Sequence, residues 1–342
     1  MNTYYLRNFL RLQDFQKKDI LFLIKYAEKI KFQKKIQKEK KLLKNKNIVL
    51  LFEKESTRTR CSFEIAAFNQ GAQTTYLGPG NTHLGYKESI EDTSQTLGKL
   101  YDGIVYRGHK HSNIEKIAQY SKIPVWNGLT NTFHPTQILS DLLTIKEIFK
   151  NIPFKKIKIA YIGDTNNNIS NSLLEASQIL NFNLKLISPK IYFPKKKFFK
   201  KYNIKNFSKK NILYTEDIEK GVKNVDLIYT DVWISMGDNI DLQEKKIKLL
   251  KDYQVNKNIL KLTKNPLIKV FHCLPALHDN HTQFGKKLMK KFNLKNGIEI
   301  SNDVFQTNRK IIFQQSENRL HIVKALLING LINQKLQSQV LA

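Results

Sequence analysis

Short apolar runs that end in polar clusters recur along this chain, and they constrain its fold more than any other feature. The run I-V-L-L-F at 48–52 is apolar throughout, as in a strand buried on both faces of a parallel sheet. Runs at 103–106, 123–126, 157–162, 184–188, 226–230 and 267–271 repeat the pattern, with a shorter one at 74–77. Between them, apolar residues fall at helical spacing. The first such stretch, within 1–44, carries Phe15, Leu21, Ile24, Ala27 and Ile30, and others lie at 60–70, 88–100, 114–120, 137–149, 170–180 and 313–331. Strand–helix alternation predicts an α/β protein with parallel sheets flanked by helices. A chain of 342 residues has room for two such doubly wound domains. Asn151-Ile152-Pro153 is the expected junction, giving domains at 1–150 and 151–312, with a helix at 313–342 returning to the first.

The polar clusters sit where strands end, and open α/β sheets bind ligands along that edge. The most informative is Ser56-Thr57-Arg58-Thr59-Arg60, at the turn from the 48–52 strand into a helix. A helix start offers N–H groups and the positive end of a dipole, and arginines add planar forks that match phosphate oxygens. The stretch lacks the glycines and the Gly-Lys-Ser/Thr ending of a Walker A loop. It reads as an anion site for a phosphate-bearing ligand. Arg107, His134-Pro135-Thr136-Gln137, Asn166-Asn167-Asn168, the segment from Asp231 to Gly237, and His272-Cys273-Leu274-Pro275 occupy the other strand ends.

Composition narrows the class. The net charge of +29 could signal nucleic-acid binding. Yet lysines run along the whole chain, as codon bias would place them, so no specific nucleic-acid partner is expected. Seven arginines stand against 51 lysines, and four of the seven (Arg58, Arg60, Arg107, Arg319) fall in motifs named here. Two cysteines, Cys61 and Cys273, are too few for a disulfide scaffold. No run of about 18 apolar residues predicts a membrane span, and the opening M-N-T-Y-Y-L-R-N-F-L-R-L has no secretory pattern. A cytoplasmic protein is expected.

Four motifs in order, S-T-R-T-R, H-P-T-Q, D-V-W-I-S-M-G and H-C-L-P, resemble those of the aspartate/ornithine carbamoyltransferase family. The resemblance extends from about Phe9 to Ile332, and the last two motifs point to its ornithine branch. It implies a carbamoyl-phosphate domain at 1–150, an ornithine domain at 151–312 and an active site in the cleft between them. It assigns Ser56, Thr57, Arg58, Thr59, Arg60 and His83 to carbamoyl phosphate, together with Arg107, His134, Pro135, Thr136, Gln137, Cys273, Leu274 and Arg319. Of these, Arg107, His134, Cys273 and Arg319 would act at the reacting centre. Asn168, Asp231, Ser235 and Met236 would hold ornithine.

The implied reaction is carbamoyl transfer from carbamoyl phosphate to the δ-amine of L-ornithine, giving L-citrulline and phosphate, a step of arginine biosynthesis. It needs no cofactor, since the leaving group is already activated, and no Cys/His cluster has zinc-ligand spacing in the sequence. The resemblance further implies a homotrimer or an assembly of trimers. Two rival readings remain at this stage: a transferase for putrescine or N-acetylornithine, and a basic nucleic-acid-binding protein.

Overall fold

The structure, a computed structural model, describes residues 5–80, 87–204, 211–234 and 239–333. It divides into two compact units, one of residues 1–145 with 316–342 and one of residues 146–315.

The first unit contains α1 (Lys17–Lys35), β1 (Asn47–Phe52), α2 (Thr57–Gln70), β2 (Gln73–Leu77), α3 (Ile90–Leu100), β3 (Gly103–Arg107), α4 (His111–Ser121), β4 (Val125–Leu129) and α5 (Pro135–Ile148). Its four strands are all parallel, in the order β2-β1-β3-β4. The chain runs from β1 to β2 on one side and then crosses to β3 on the other, so the order reverses between β1 and β3. That switch point leaves a crevice at the carboxyl edge. Phe52, the last residue of β1, pairs with Arg107, the last of β3. The strands run apolar because both faces are buried: on one, Val49, Leu51, Ile104 and Val125 pack with Leu97 of α3 and with Ile114 and Ile117 of α4, and on the other Ile48, Leu50 and Val105 are buried.

The second unit contains β5 (Lys158–Ile162), α6 (Asn168–Leu180), β6 (Asn183–Ile187), α7 (Lys196–Lys201), β7 (Ile212–Thr215), α8 (Ile218–Val222), β8 (Leu227–Thr230), α9 (Ile240–Leu250), α10 (Lys257–Leu262), β9 (Lys269–His272) and α11 (Gln283–Lys291). Its five parallel strands follow the order β7-β6-β5-β8-β9, with the switch point between β5 and β8. The last helix, α12 (Asn302–Leu331), begins in this unit, and its residues from Ser316 onward belong to the first.

Three departures from the sequence expectations have physical causes. First, β4 runs on through Asn127, Gly128 and Leu129, expected as loop. Asn127 is buried, yet its backbone N–H donates to the Phe9 carbonyl and its amide donates to the Leu10 carbonyl (2.9 and 2.8 Å). A partner 117 residues away makes a polar residue acceptable in a buried strand. Second, β7 and the helices α7, α8, α9, α10 and α11 were not anticipated, because lysines dilute their apolar periodicity. Third, α12 starts eleven residues before the expected 313. Its first half spends Asn308 and Gln315 on the edge of the sheet, where their side-chain oxygens accept the N–H groups of Val270 and His272 (3.0 and 3.1 Å). Covering the outer strand in this way uses polar residues that interrupt the apolar pattern. Among the described residues, no helix is long and apolar enough to cross a membrane.

Candidate active site

The switch point of the first sheet carries the cationic cluster. Ser56 caps α2: its hydroxyl accepts the Thr59 N–H at 3.2 Å, a contact worth about 1 kcal/mol. Helix geometry leaves the first N–H groups without intrahelical acceptors, and the first turn of α2 holds no acidic residue to offset the dipole. Thr57 is exposed and Arg58 half-buried at this helix start, while Thr59 is buried. Arg107, at the end of the neighbouring strand, donates from Nη1 to the Thr59 hydroxyl at 3.2 Å. Gly128 permits this approach, because a Cβ there would lie 3.1 Å from the Thr59 methyl and 3.2 Å from the Tyr106 carbonyl.

His134 precedes α5, whose first residue is Pro135, a placement that needs no backbone donor. His134, Thr136, Gln137 and Arg319 are all buried. The His134 imidazole is held well below its ordinary pKa, first by burial and then by the positive charges of Arg319, Arg107 and Arg58. Three arginines from α2, β3 and α12 therefore act on one neutral ring. The Thr136 hydroxyl lies 3.3 Å from Nδ1; donating there, it leaves the ring proton on Nε2. Gln137 Nε2 donates to the buried Asp141 carboxylate at 2.8 Å, which fixes the amide orientation and leaves Oε1 buried without a hydrogen-bond partner. Arg60 belongs to a different setting: it pairs with Glu64 at 2.9 Å and lies over the Tyr76 ring at 3.8 Å.

The switch point of the second sheet carries a contrasting cluster. Asn168 is the first residue of α6, and Asn167 caps that helix by accepting the Ser170 N–H at 2.8 Å. Asp231 follows β8 and is buried; its Oδ1 accepts the Val232 N–H (2.8 Å) and the Cys273 thiol (2.9 Å). Burial raises its pKa above the usual carboxylate value, opposed by His272 and by the Cys273 hydrogen bond. His272, the last residue of β9, accepts the Leu274 N–H at Nδ1 (3.0 Å) and so donates from Nε2 to Glu299 (3.1 Å). Glu299 also accepts the Leu277 N–H. This buried pair grips both ends of the 273–277 turn. It holds Leu274 at φ +55, a left-handed conformation that a branched side chain resists. The Leu274–Pro275 bond is cis.

Asp231, His272 and Cys273 bring their donor atoms within 4.8 Å of one another, an oxygen–nitrogen–sulfur set of a kind that can hold a soft divalent ion. The sequence spacing hid this group because its members end two neighbouring strands. In the structure the thiol and both ring nitrogens are already engaged in hydrogen bonds.

The structure thus gathers Ser56, Arg58, Thr59, Arg107, His134 and Arg319 in one unit, and Asp231 with Cys273 in the other. His83, Ser235 and Met236 lie outside the described residues. Glu299 and Asp141 were missed in the sequence. Their signal was a lone carboxylate inside an apolar run, as in I-E-I at 298–300. Such a residue is expected to be buried against a specific partner.

Two doubly wound sheets, one with arginines at its switch point and the other with a buried carboxylate and thiol, define an α/β protein built to handle a small anion and a polar partner. Residues 7–147 match the carbamoyl-P binding domain of aspartate/ornithine carbamoyltransferase, and residues 155–329 match the Asp/Orn binding domain. The ornithine carbamoyltransferase of Buchnera aphidicola subsp. Acyrthosiphon pisum (strain 5A) is 59% identical over 334 residues, covering 97% of this chain and 98% of the relative. That of Blochmanniella floridana is 50% identical over 333 residues, covering 97% of this chain and 96% of the relative. Among solved structures, the ornithine carbamoyltransferase from Pyrococcus furiosus superposes with a TM-score of 0.82 at 34% identity, covering 96% of this chain and 97% of that one. The anabolic enzyme from Campylobacter jejuni gives 0.81 at 33%, covering 97% and 99%. The chain belongs to the aspartate/ornithine carbamoyltransferase family.

Proposed function

We propose that the protein transfers the carbamoyl group of carbamoyl phosphate to the δ-amine of L-ornithine, forming L-citrulline and phosphate. The observation that carries this reading is the convergence of Arg58, Arg107 and Arg319 on a neutral, buried His134. A phosphate dianion is recognised by the start of α2 with Ser56, Thr57, Arg58 and Thr59. The carbamoyl oxygen, where charge develops, takes donors from Arg107, His134 and the Thr59 hydroxyl. A neutral imidazole serves as a donor there without adding a fourth positive charge. The unpartnered Gln137 Oε1 suits the carbamoyl NH2, and Arg319 completes the field. Arg60, bound to Glu64 and Tyr76, borders the cradle.

In the second unit, Asp231 answers the α-ammonium of ornithine and Asn168 its carboxylate. Ser235 and Met236 follow Asp231 in the matching motif. Cys273 orients Asp231 through its thiol hydrogen bond, and the Leu274 carbonyl accepts from the attacking amine. In the reaction, the amine nitrogen bonds to the carbamoyl carbon and the carbon–oxygen bond to phosphate breaks. The departing phosphate takes up the proton shed by nitrogen. The nucleophile is the neutral amine, a rare form at neutral pH because its pKa resembles that of lysine, about 10.4.

The free α-amino acid is favoured over N-acetylornithine because acetylation removes the ammonium that Asp231 would meet, and over putrescine because that diamine lacks the carboxylate that Asn168 would meet. The test is citrulline formation from carbamoyl phosphate and ornithine, with putrescine, N-acetylornithine and aspartate as controls. Ornithine-limited activity is expected to rise from pH 6 toward pH 8. Faster turnover of putrescine than of ornithine would overturn the assignment. We also propose a cytoplasmic homotrimer. Self-association is supported by the exposed Ile65 and Phe68, which share one face of α2 with Cys61. Light scattering of the purified protein decides it.

A further inference from the structure

Arg319 owes its place to the helix that carries it, and α12 has an unusual buried face. Asn318, the residue before Arg319, is fully buried. An apolar side chain would sit there at lower desolvation cost, so the amide calls for an explanation.

The hydrogen bonds supply one. Asn318 Nδ2 donates to the Thr144 hydroxyl at 2.9 Å, and Asn318 Oδ1 accepts from Lys31 Nζ of α1 at 2.7 Å. Thr144 passes its own proton to the Ser140 carbonyl (2.8 Å), and Ser140 donates to the Thr136 carbonyl (2.9 Å). Thr136, Ser140 and Thr144 stand four residues apart along a buried face of α5, the helix that begins beside His134. A polar seam therefore runs from the His134 end of α5 to the residue adjoining Arg319. Apolar packing between helices tolerates sliding, whereas a buried amide with one donor and one acceptor partner is satisfied in a single register. A slip of one turn would carry Arg319 about 5.4 Å along the axis, away from the His134 ring.

We infer that Asn318 is a positioning residue: paired with Thr144, it sets the register of α12 on α5 and so places the Arg319 guanidinium beside His134. This rests on the reading of that cluster as the carbamoyl-phosphate site.

The experiment compares Asn318→Leu, Thr144→Val and Thr144→Ser, each alone and combined with Arg319→Lys. It measures KM for both substrates, the calorimetric Kd of inorganic phosphate, and thermal melting. Asn318→Leu and Thr144→Val are expected to raise the carbamoyl-phosphate KM and the phosphate Kd by roughly tenfold. The ornithine KM stays within about twofold, and Thr144→Ser, which keeps the hydroxyl, restores wild-type values. In the Arg319→Lys background the same changes add less than about twofold, because the effect passes through Arg319. If melting alone changes, or if the losses multiply with Arg319→Lys, the inference falls. Should Asn318→Leu fail to fold, Thr144→Val decides by the same criteria. A wild-type protein that makes no citrulline would overturn the functional reading instead, and the phosphate Kd would still judge Asn318.

Discussion

The charges of Arg319, Arg107 and Arg58 act on a histidine that burial keeps neutral, while in the other unit Asp231 and Cys273 share a hydrogen bond beside the His272–Glu299 pair. Both clusters stand at the switch point of a parallel sheet, on residues that follow apolar strands. The scaffold is the same and the electrostatics are opposite. Permanent positive charge in the first unit fits a phosphate dianion, and a carboxylate in the second fits an ammonium. They also differ in how they are fixed. The first cluster is assembled from α2, β3, α5 and α12. The second is held by side-chain hydrogen bonds that join the ends of β8 and β9, with Glu299 closing the 273–277 segment.

That contrast can be broken by showing that the two units do not divide the substrates. The largest effect is expected for Arg107→Leu, which removes a donor aimed at the developing charge: kcat should fall about 10²–10³-fold. Turnover close to wild type would remove Arg107 from the reacting centre. Asp231→Asn should raise the ornithine KM by about ten- to a hundredfold, the range for a charge-assisted hydrogen bond, and leave the carbamoyl-phosphate KM near its starting value. Equal changes in both constants would erase the division.

Acid should act on the units with opposite sign. In the first unit, His321 is depressed to about 3 by burial and then by Lys324, Lys31 and Lys34. Its folded pKa lies below the unfolded value of about 6.5, so its contribution is full above pH 6.5 and is lost as pH falls toward 3. Between pH 6.5 and 5 this one group should cost on the order of 1.6 kcal/mol, about sixteenfold in the folding constant. His321→Gln should remove that slope in urea titrations at the two pH values. In the second unit Asp231 is shifted upward, so its protonated form favours the fold at low pH and its contribution is lost as pH rises through the folded value. A steeper acid slope in Asp231→Asn than in the wild type is the signature to seek. The smallest effect expected is that of Arg58→Lys, which keeps the charge and loses the fork. A fall of about tenfold in kcat/KM for carbamoyl phosphate, with the ornithine KM steady, would sharpen the comparison.

Much of this was legible in the sequence because parallel strands buried on both faces must be apolar, and ligand groups must follow them. The S-T-R-T-R turn announced a helix start with arginines, and the structure gives α2 capped by Ser56 with Arg58 in its first turn. The extension of β4 through Asn127 was not legible, since the groups that satisfy Asn127 lie near the chain start. Nor was the early start of α12, whose Asn308 and Gln315 answer backbone donors of β9.

By itself, then, the sequence determined the strand–helix alternation, the carboxyl-edge motifs and the family, because period, cap chemistry and spacing are local properties. Only the tertiary structure decided which motif arginines act on His134 and which one turns to Glu64 and Tyr76. It also decided that Asp231 meets Cys273, that Glu299 lies under the H-C-L-P turn, and that Asn318 meets Thr144. Those pairings join residues 27 to 185 positions apart, or turn on the rotamer of a single side chain. Burial selects among such contacts by the cost of leaving a polar group unmatched, and burial exists only once the sheets have formed.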